Sequence, residues 1–119
     1  MLNKYFKSII DQAEEPIVIC DLDFKILYMN SVAVENYHQD LTGKSLKDCH
    51  NQESNQKMEQ ILEWFKKDVK NNKVYTYHSN KSNRDTYIVA LRDENQKLIG
   101  FYERHISRNV ETGIKYNMD

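Results

Sequence analysis

The stretch PIVICDLDFKILYMN, residues 16–30, decides which fold this chain can adopt. Ile17 to Cys20 is a short apolar run rich in β-branched residues, and Lys25 to Met29 is a second short run, so both predict strands. Asp21 to Phe24 lies between them and supplies residues that favour a turn. The stretch therefore predicts an antiparallel hairpin.

Two amphipathic helices are predicted on either side of this hairpin. Residues 1–15 carry apolar side chains at helical spacing, and Pro16 ends the helix because the residue before a proline disfavours the α conformation. Residues 54–70 form the longer helix, with Ser54 as its expected N-cap. The apolar stripe of that helix consists of Met58, Ile61, Leu62, Phe65 and Val69.

Short helices and three more strands complete the pattern. Asn30 or Ser31 can cap a helix over residues 32–37, and Ser45 begins a second short helix. Further strands are predicted over residues 74–78, 86–92 and 97–106. The tail from Asn109 onward has no convincing period.

The order of these elements predicts an α+β fold. We expect one mostly antiparallel five-stranded sheet with helices on one face and an N-terminal flanking helix. The flanking helix is assigned to residues 1–15, the domain to residues 16–108 and the C-terminal tail to residues 109–119. A sheet covered on one face can enclose a pocket between that face and the helices.

Composition excludes several classes of protein. A chain of 119 residues fits one core, and 17 basic against 18 acidic residues give a net charge of −1. That balance argues against a nucleic-acid partner. No apolar run approaches the ~20 residues of a membrane span, and no secretory signal is evident. We therefore expect no membrane partner and a cytoplasmic location, with Cys20 and Cys49 as free thiols.

These motifs together resemble a PAS domain, the sensory module of many bacterial signalling proteins. The matching stretches are residues 16–21, 25–30, 41–45, 89–95 and 98–100. The likeness covers roughly residues 5–108, and Asp48-Cys49-His50 further resembles a bacterial PAS subgroup that often accompanies hemerythrin-like domains. The resemblance implies a non-enzymatic sensory or regulatory module that binds a small molecule or cofactor and signals through a separate partner.

The resemblance also narrows the choice of cofactor. The light-sensing subclass carries Asn-Cys-Arg directly after its glycine, whereas Gly43 is followed by Lys44-Ser45, so flavin photochemistry is not expected. Haem-binding members commonly carry an axial histidine inside the long helix, and residues 54–70 contain none. His50, just before that helix, is therefore the predicted ligand for haem iron and the predicted metal-binding residue. A small organic acid and an empty pocket stay open as alternatives.

Cys49 and His50 form the most chemically suggestive pair. Thiolate and imidazole both bind borderline metals and haem iron, but adjacent side chains reach one centre with difficulty. A buried cysteine beside a hydrogen-bonded loop histidine is the simpler interpretation, and a Cys49 nucleophile is a third. His105 alternates with Phe101 and Glu103 on the last strand, so it could face the pocket or the sheet exterior, and the exterior is the preferred interpretation.

Further pocket residues are predicted on the strands. Asn30 closes the opening hairpin, and Tyr87 and Tyr102 belong to the last three strands, where their hydroxyls could anchor a ligand. Cross-strand packing is the alternative for these tyrosines. Strand alternation predicts that Tyr75 and Tyr77 share one face.

The first helix offers an apolar stripe that could pack on its own sheet or against a second copy. Its residues, the predicted homodimer interface, are Leu2, Tyr5, Phe6, Ile9 and Ile10. Self-association would cover them. A structural dimerisation domain without a small ligand is therefore the alternative function, and a thiol-dependent enzyme using Cys49 is the third.

Overall fold

A five-stranded sheet runs through the protein in a computed structural model of the chain, which describes residues 2–119. The strand order is β2-β1-β5-β4-β3, and all neighbouring strands are antiparallel. The elements in chain order are α1 (Asn3–Gln12), β1 (Val18–Asp21), β2 (Ile26–Met29), α2 (Ser31–Tyr37), a 3₁₀ turn (Leu46–Cys49), α3 (Gln52–Lys67), β3 (Lys73–Ser79), β4 (Arg84–Arg92) and β5 (Leu98–Ser107). The predicted α+β fold class is confirmed.

The opening hairpin forms because Asp21 supplies its turn. The Asp21 Oδ1 atom accepts hydrogen bonds from the backbone N–H groups of Asp23 and Lys25, both at 2.9 Å. The closing strand of the sheet then approaches β1 very closely. A Cβ atom on Gly100 would lie 2.2 Å from the carbonyl oxygen of Cys20, so only glycine fits there.

Asn30 joins three elements through one buried side chain. Its Oδ1 atom accepts from the N–H groups of Ile17 and Ala33, which caps α2 as predicted. Its Nδ2 atom donates to the carbonyl groups of Ile10 and Glu15 at 3.0 Å each. These four bonds hold the end of α1 and the start of β1 beside α2.

The core lies between the sheet and α3, on the face that we call the inner face. α3 presents Met58, Leu62 and Phe65 to this face. The buried apolar side chains of the core are Val18, Cys20, Phe24, Ile26, Met29, Ala33, Leu41, Leu46, Met58, Leu62, Phe65, Ile88, Leu98 and Phe101. α1 stands apart from this core and has no buried residue.

Two helix boundaries differ from the prediction. α3 begins after Asn51, whose side chain accepts from the N–H of Ser54 at 2.8 Å, so Asn51 and not Ser54 is the N-cap. α1 ends at Gln12, ahead of Pro16, because the chain becomes extended at Ala13.

A β-bulge in β3 makes the prediction for its tyrosines wrong. Tyr75 pairs with Tyr87, but Tyr77 pairs with Thr86, so one extra residue lies between them. Because paired residues of antiparallel strands share a face, Tyr75 and Tyr77 point to opposite faces of the sheet.

The chain ends contribute little to this architecture. Residues 109–119 form neither helix nor strand. Within residues 2–119, no helix is both long enough and apolar enough to cross a bilayer. The division into residues 1–15, 16–108 and 109–119 stays a prediction.

Candidate functional site

A cleft of about 750 Å³ opens between α3 and strands β3, β4 and β5. Its volume lies in the range of small-molecule sites. The walls are mostly apolar or aromatic, and their side chains include Met58, Ile61 and Trp64 from α3 and Val74, Tyr77 and Ile88 from the sheet. This combination of a helix and a pleated face gives the cleft an apolar lining.

The floor of the cleft is polar because β5 places Glu103 there. Glu103 is 8% exposed and is paired with Ile88 of β4 and Val18 of β1, so it lies in the middle of the sheet. The Nε2 atoms of His50 and His105 lie 3.9 and 3.8 Å from its two carboxylate oxygens. Both distances exceed a hydrogen bond.

The negative charge of Glu103 contributes to raised pKa values of one hydroxyl and two thiol groups. Burial raises the pKa of the Tyr37 hydroxyl, and the negative charge of Glu103 raises it further. Burial also raises the pKa of Cys20 to about 12, again with a contribution from Glu103. The pKa of Cys49 is raised by partial burial and by the charges of Asp48 and Glu103. None of these groups is therefore activated as an anion at neutral pH.

Comparison with known proteins identifies the family. A family model described as a PAS domain matches residues 14–110. The chain belongs to the PAS domain family. PAS domains are sensory and signalling modules, generally non-enzymatic, and some bind cofactors such as flavin or haem.

Solved structures share this PAS fold at low sequence identity. The C-terminal domain of a Streptococcus mutans protein is 16% identical, with a TM-score of 0.68 over 87% of this chain and 82% of that chain. The PAS domain of BvgS from Bordetella pertussis is 15% identical, with a TM-score of 0.63 over 90% and 86%. A sensory box sensor histidine kinase from Vibrio cholerae is 10% identical, with a TM-score of 0.57 over 87% and 86%. No curated protein sequence matches the chain.

The structure brings only part of the predicted site into the cleft of this PAS domain. His50 lines the cleft, whereas Cys49 ends the 3₁₀ turn and is exposed. Asn30 uses its side chain for four backbone hydrogen bonds, which leaves it no group for a ligand. Phe101 and Glu103 face inward on β5, so Tyr102 and Arg104, which alternate with them, face outward. Tyr87 is paired with Arg104 and therefore also lies on the outer face.

His105 lies on the inner face, which is the alternative to the exterior position that the sequence favoured. It is half-buried, and its Nδ1 atom lies 3.0 Å from the Oγ1 atom of Thr86, which lines the cleft. Glu103 was missed as a site residue. The signal that could have found it is the alternation of Phe101, Glu103 and His105 on one strand, which puts a carboxylate on a core-facing row.

Haem does not fit the geometry around His50. The His50 Nε2 atom, which would bind iron, is buried, has no hydrogen-bond partner in the described chain, and faces the carboxylate of Glu103 at 3.9 Å. A porphyrin needs a ligand nitrogen open to an apolar slot. Across residues 2–119, no group of three or more His, Cys, Asp or Glu side chains is arranged to hold a metal ion.

The apolar stripe of α1 is largely open to solvent. Leu2, Tyr5, Phe6 and Ile9 are 55–69% exposed, and Ile10 is half-buried. The helix is nevertheless attached to the domain, because Asp11 accepts a hydrogen bond from the hydroxyl of Tyr28. The stripe therefore forms an unpartnered face beside the sheet.

Proposed function

We propose that this PAS domain is a sensory or regulatory module that binds a small molecule in its cleft and signals through a separate partner. The observation that supports the proposal is the cleft of about 750 Å³, which combines apolar walls with the buried carboxylate of Glu103. Small-molecule sites typically have this combination of apolar lining and few polar groups.

Ligand binding would act on the domain through the contact between α3 and the sheet. A ligand changes the output only by its different affinity for two conformations. The walls of the cleft belong to α3 and β3. The floor of the cleft belongs to β5, which runs to Ser107 near the end of the domain. Occupancy would therefore favour one arrangement of these elements over another.

Native mass spectrometry of the protein tests this proposal directly. We expect a retained small molecule, and a variant that fills the cleft, Ile61→Trp, should lose it. Leu27→Trp is the matched control because Leu27 is exposed on β2, outside the cleft. Bare protein mass for the wild type and both variants, together with no rise in melting temperature across a compound library, would contradict ligand binding.

The haem hypothesis has its own measurement. Since His50 Nε2 is buried against Glu103, we expect protein from haem-supplemented cells to show no Soret band. A Soret band that His50→Ala removes would overturn this expectation. A Cys49 enzyme is not proposed, because the raised pKa of Cys49 reduces its thiolate fraction.

We also propose a homodimer through α1, which is compatible with ligand binding and would be the whole function if the cleft were empty. The supporting observation is the exposed stripe of Leu2, Tyr5, Phe6 and Ile9. A second copy of α1 would cover these side chains and remove apolar surface from water.

Light scattering coupled to gel filtration tests the dimer. Phe6→Glu places a charge in the stripe and should shift the protein to a monomer. Ser8→Glu adds the same charge at an exposed polar position of α1 and should leave the dimer intact. The wild-type protein is measured at concentrations that increase in 100-fold steps to about millimolar. If it stays monomeric at all of them, the proposal is contradicted.

A further inference from the structure

The carboxylate of Glu103 is the buried acidic group of the cleft. Its side chain is only 10% exposed, and no hydrogen bond from any residue between 2 and 119 reaches it. The nearest cationic candidates are the Nε2 atoms of His50 and His105, at 3.9 and 3.8 Å. Buried carboxylates normally gain donors or a paired charge, because desolvation penalises the ion.

The fold gives Glu103 little freedom to find such a partner by itself. Its backbone is paired on both sides, with Ile88 of β4 and Val18 of β1, so the carboxylate is fixed beneath the cleft. Lys57 also lines the cleft, but its ammonium lies 3.4 Å from Glu53 on the exposed side of α3. The open direction from Glu103 is therefore the cleft itself.

The walls above Glu103 are suited to one kind of ligand. Trp64, Tyr77 and Tyr37 offer aromatic surface, and Ile61 and Val74 offer aliphatic surface. Aromatic faces attract organic cations, and a carboxylate accepts charge-assisted hydrogen bonds from their N–H groups. An organic acid would instead set a second carboxylate against Glu103, which is unfavourable.

We propose that the cleft selects protonated organic amines. The ammonium group donates hydrogen bonds to Glu103, and the apolar or aromatic body of the ligand packs against Trp64 and Tyr77. This inference rests on the proposed ligand-binding function and names the chemical class of the ligand. It favours amines over the organic acids that the sequence alone left open.

Titration calorimetry with three probes of similar size tests the inference. The probes are 2-phenylethylamine, 2-phenylethanol and 3-phenylpropanoate, which present a cation, a neutral group and an anion on the same ring. We expect the amine to bind at least about tenfold more tightly than the alcohol, as one charge-assisted hydrogen bond allows, and the acid to bind most weakly.

Variants connect this preference to the named residues. Glu103→Gln keeps the shape of the side chain and should remove the tenfold preference, because the amine loses more affinity than the alcohol when the negative charge is removed. Glu94→Gln, in the exposed turn between β4 and β5, is the matched control and should retain the preference. Trp64→Leu should weaken the amine and the alcohol together. If Glu103→Gln fails to fold, Glu103→Leu serves the same comparison.

The possible outcomes separate this inference from the proposed function. Equal binding of amine and alcohol, stronger binding of the acid, or an amine preference that survives Glu103→Gln would overturn amine selection and leave ligand binding in place. Stronger binding of the acid would indicate that His50 and His105 carry the charge of the floor. If no probe binds at millimolar concentration, amine selection is also overturned, and native mass spectrometry then decides ligand binding independently.

Discussion

Asp85 organises the outer end of the sheet through a single buried carboxylate. It accepts hydrogen bonds from the hydroxyl of Tyr75 at 2.9 Å and from the guanidinium of Arg108 at 2.7 and 2.8 Å. The Nδ1 atom of His78 lies 3.0 Å away. The Arg108 hydrogen bonds are the main reason that the pKa of Asp85 falls from 3.8 to about 2. The residue thus ties the end of the last strand to β3 and β4.

This lowered pKa predicts a pH dependence of stability. The folded protein favours the ionised form more than the unfolded chain does, so the contribution of Asp85 is present above pH 3.8 and is lost as the pH falls toward 2. We expect the Asp85→Asn variant to unfold at a lower urea concentration at pH 7. Its unfolding free energy should also fall less steeply between pH 4 and pH 2, because the slope loses the uptake of roughly one proton on unfolding. Urea titrations at several pH values measure both.

Asp23→Asn is the matched control for Asp85. Its side chain is exposed and makes no hydrogen bond within the described chain, so the pH profile should stay that of the wild type. An Asp85→Asn profile that parallels the wild type between pH 4 and pH 2 would contradict the assignment.

Residues with local roles were predictable, and residues with long-range roles were not. Asn30 as a helix cap follows from its position before an apolar run, because capping joins residues three apart. Glu103 and His50 are 53 positions apart in the chain, yet they meet under the cleft. Such a contact depends on which strands become neighbours, and spacing along the sequence does not contain that information.

The C-terminal end of α3 is held by one arginine of β4. Arg92 donates to the carbonyl groups of Phe65 at 2.6 Å and of Asp68 and Asn71 at 3.2 Å, and to the side chain of Asn72 at 2.7 Å. The last carbonyl groups of a helix have no partner inside it, and the bond to Phe65 satisfies one of them. The other bonds hold the residues that follow α3. The guanidinium thereby joins the cleft-forming helix to the sheet.

Arg92→Lys should destabilise the protein by about 2 kcal/mol, because one ammonium cannot reproduce the planar set of donors. Chemical denaturation measures the change, and hydrogen exchange should show faster opening of the last turn of α3. Arg104→Lys is the control, since Arg104 is exposed on β5 and its side chain makes no hydrogen bond in the described residues. Equal stability of the two variants would show that Arg92 is not needed there.

Most elements could be predicted because their signals are local. The hairpin of β1 and β2 follows from two apolar runs and a turn, and α3 follows from its apolar stripe. The bulge between Tyr75 and Tyr77 could not be predicted, because an extra residue in one strand is defined only by its pairing with β4. That bulge puts Tyr77 on the same face as Thr86, which lines the cleft, and lets the hydroxyl of Tyr75 donate to Asp85.

The order of the strands in the sheet could not be predicted from the individual helices and strands. The sheet order brings β1 beside β5, although 76 residues separate the end of β1 and the start of β5. The resemblance to a family implied such a sheet, whereas periodicity predicted only antiparallel strands. The cleft arises where α3 crosses this sheet, so its floor could be assigned only once the order of strands was known.

The two cysteines differ in burial, so their reactivity can distinguish the native protein from the globally unfolded chain. Cys20 is 1% exposed, lies between β2 and β5, and has a pKa of about 12 through burial, whereas Cys49 is exposed. We expect iodoacetamide at pH 8 to modify Cys49 in the native protein and Cys20 only after global unfolding. In the Cys49→Ser variant, the rate at which iodoacetamide modifies Cys20 should rise with the urea unfolding transition measured by circular dichroism. Rapid native modification of Cys20 would instead mean that β1 separates locally from the sheet.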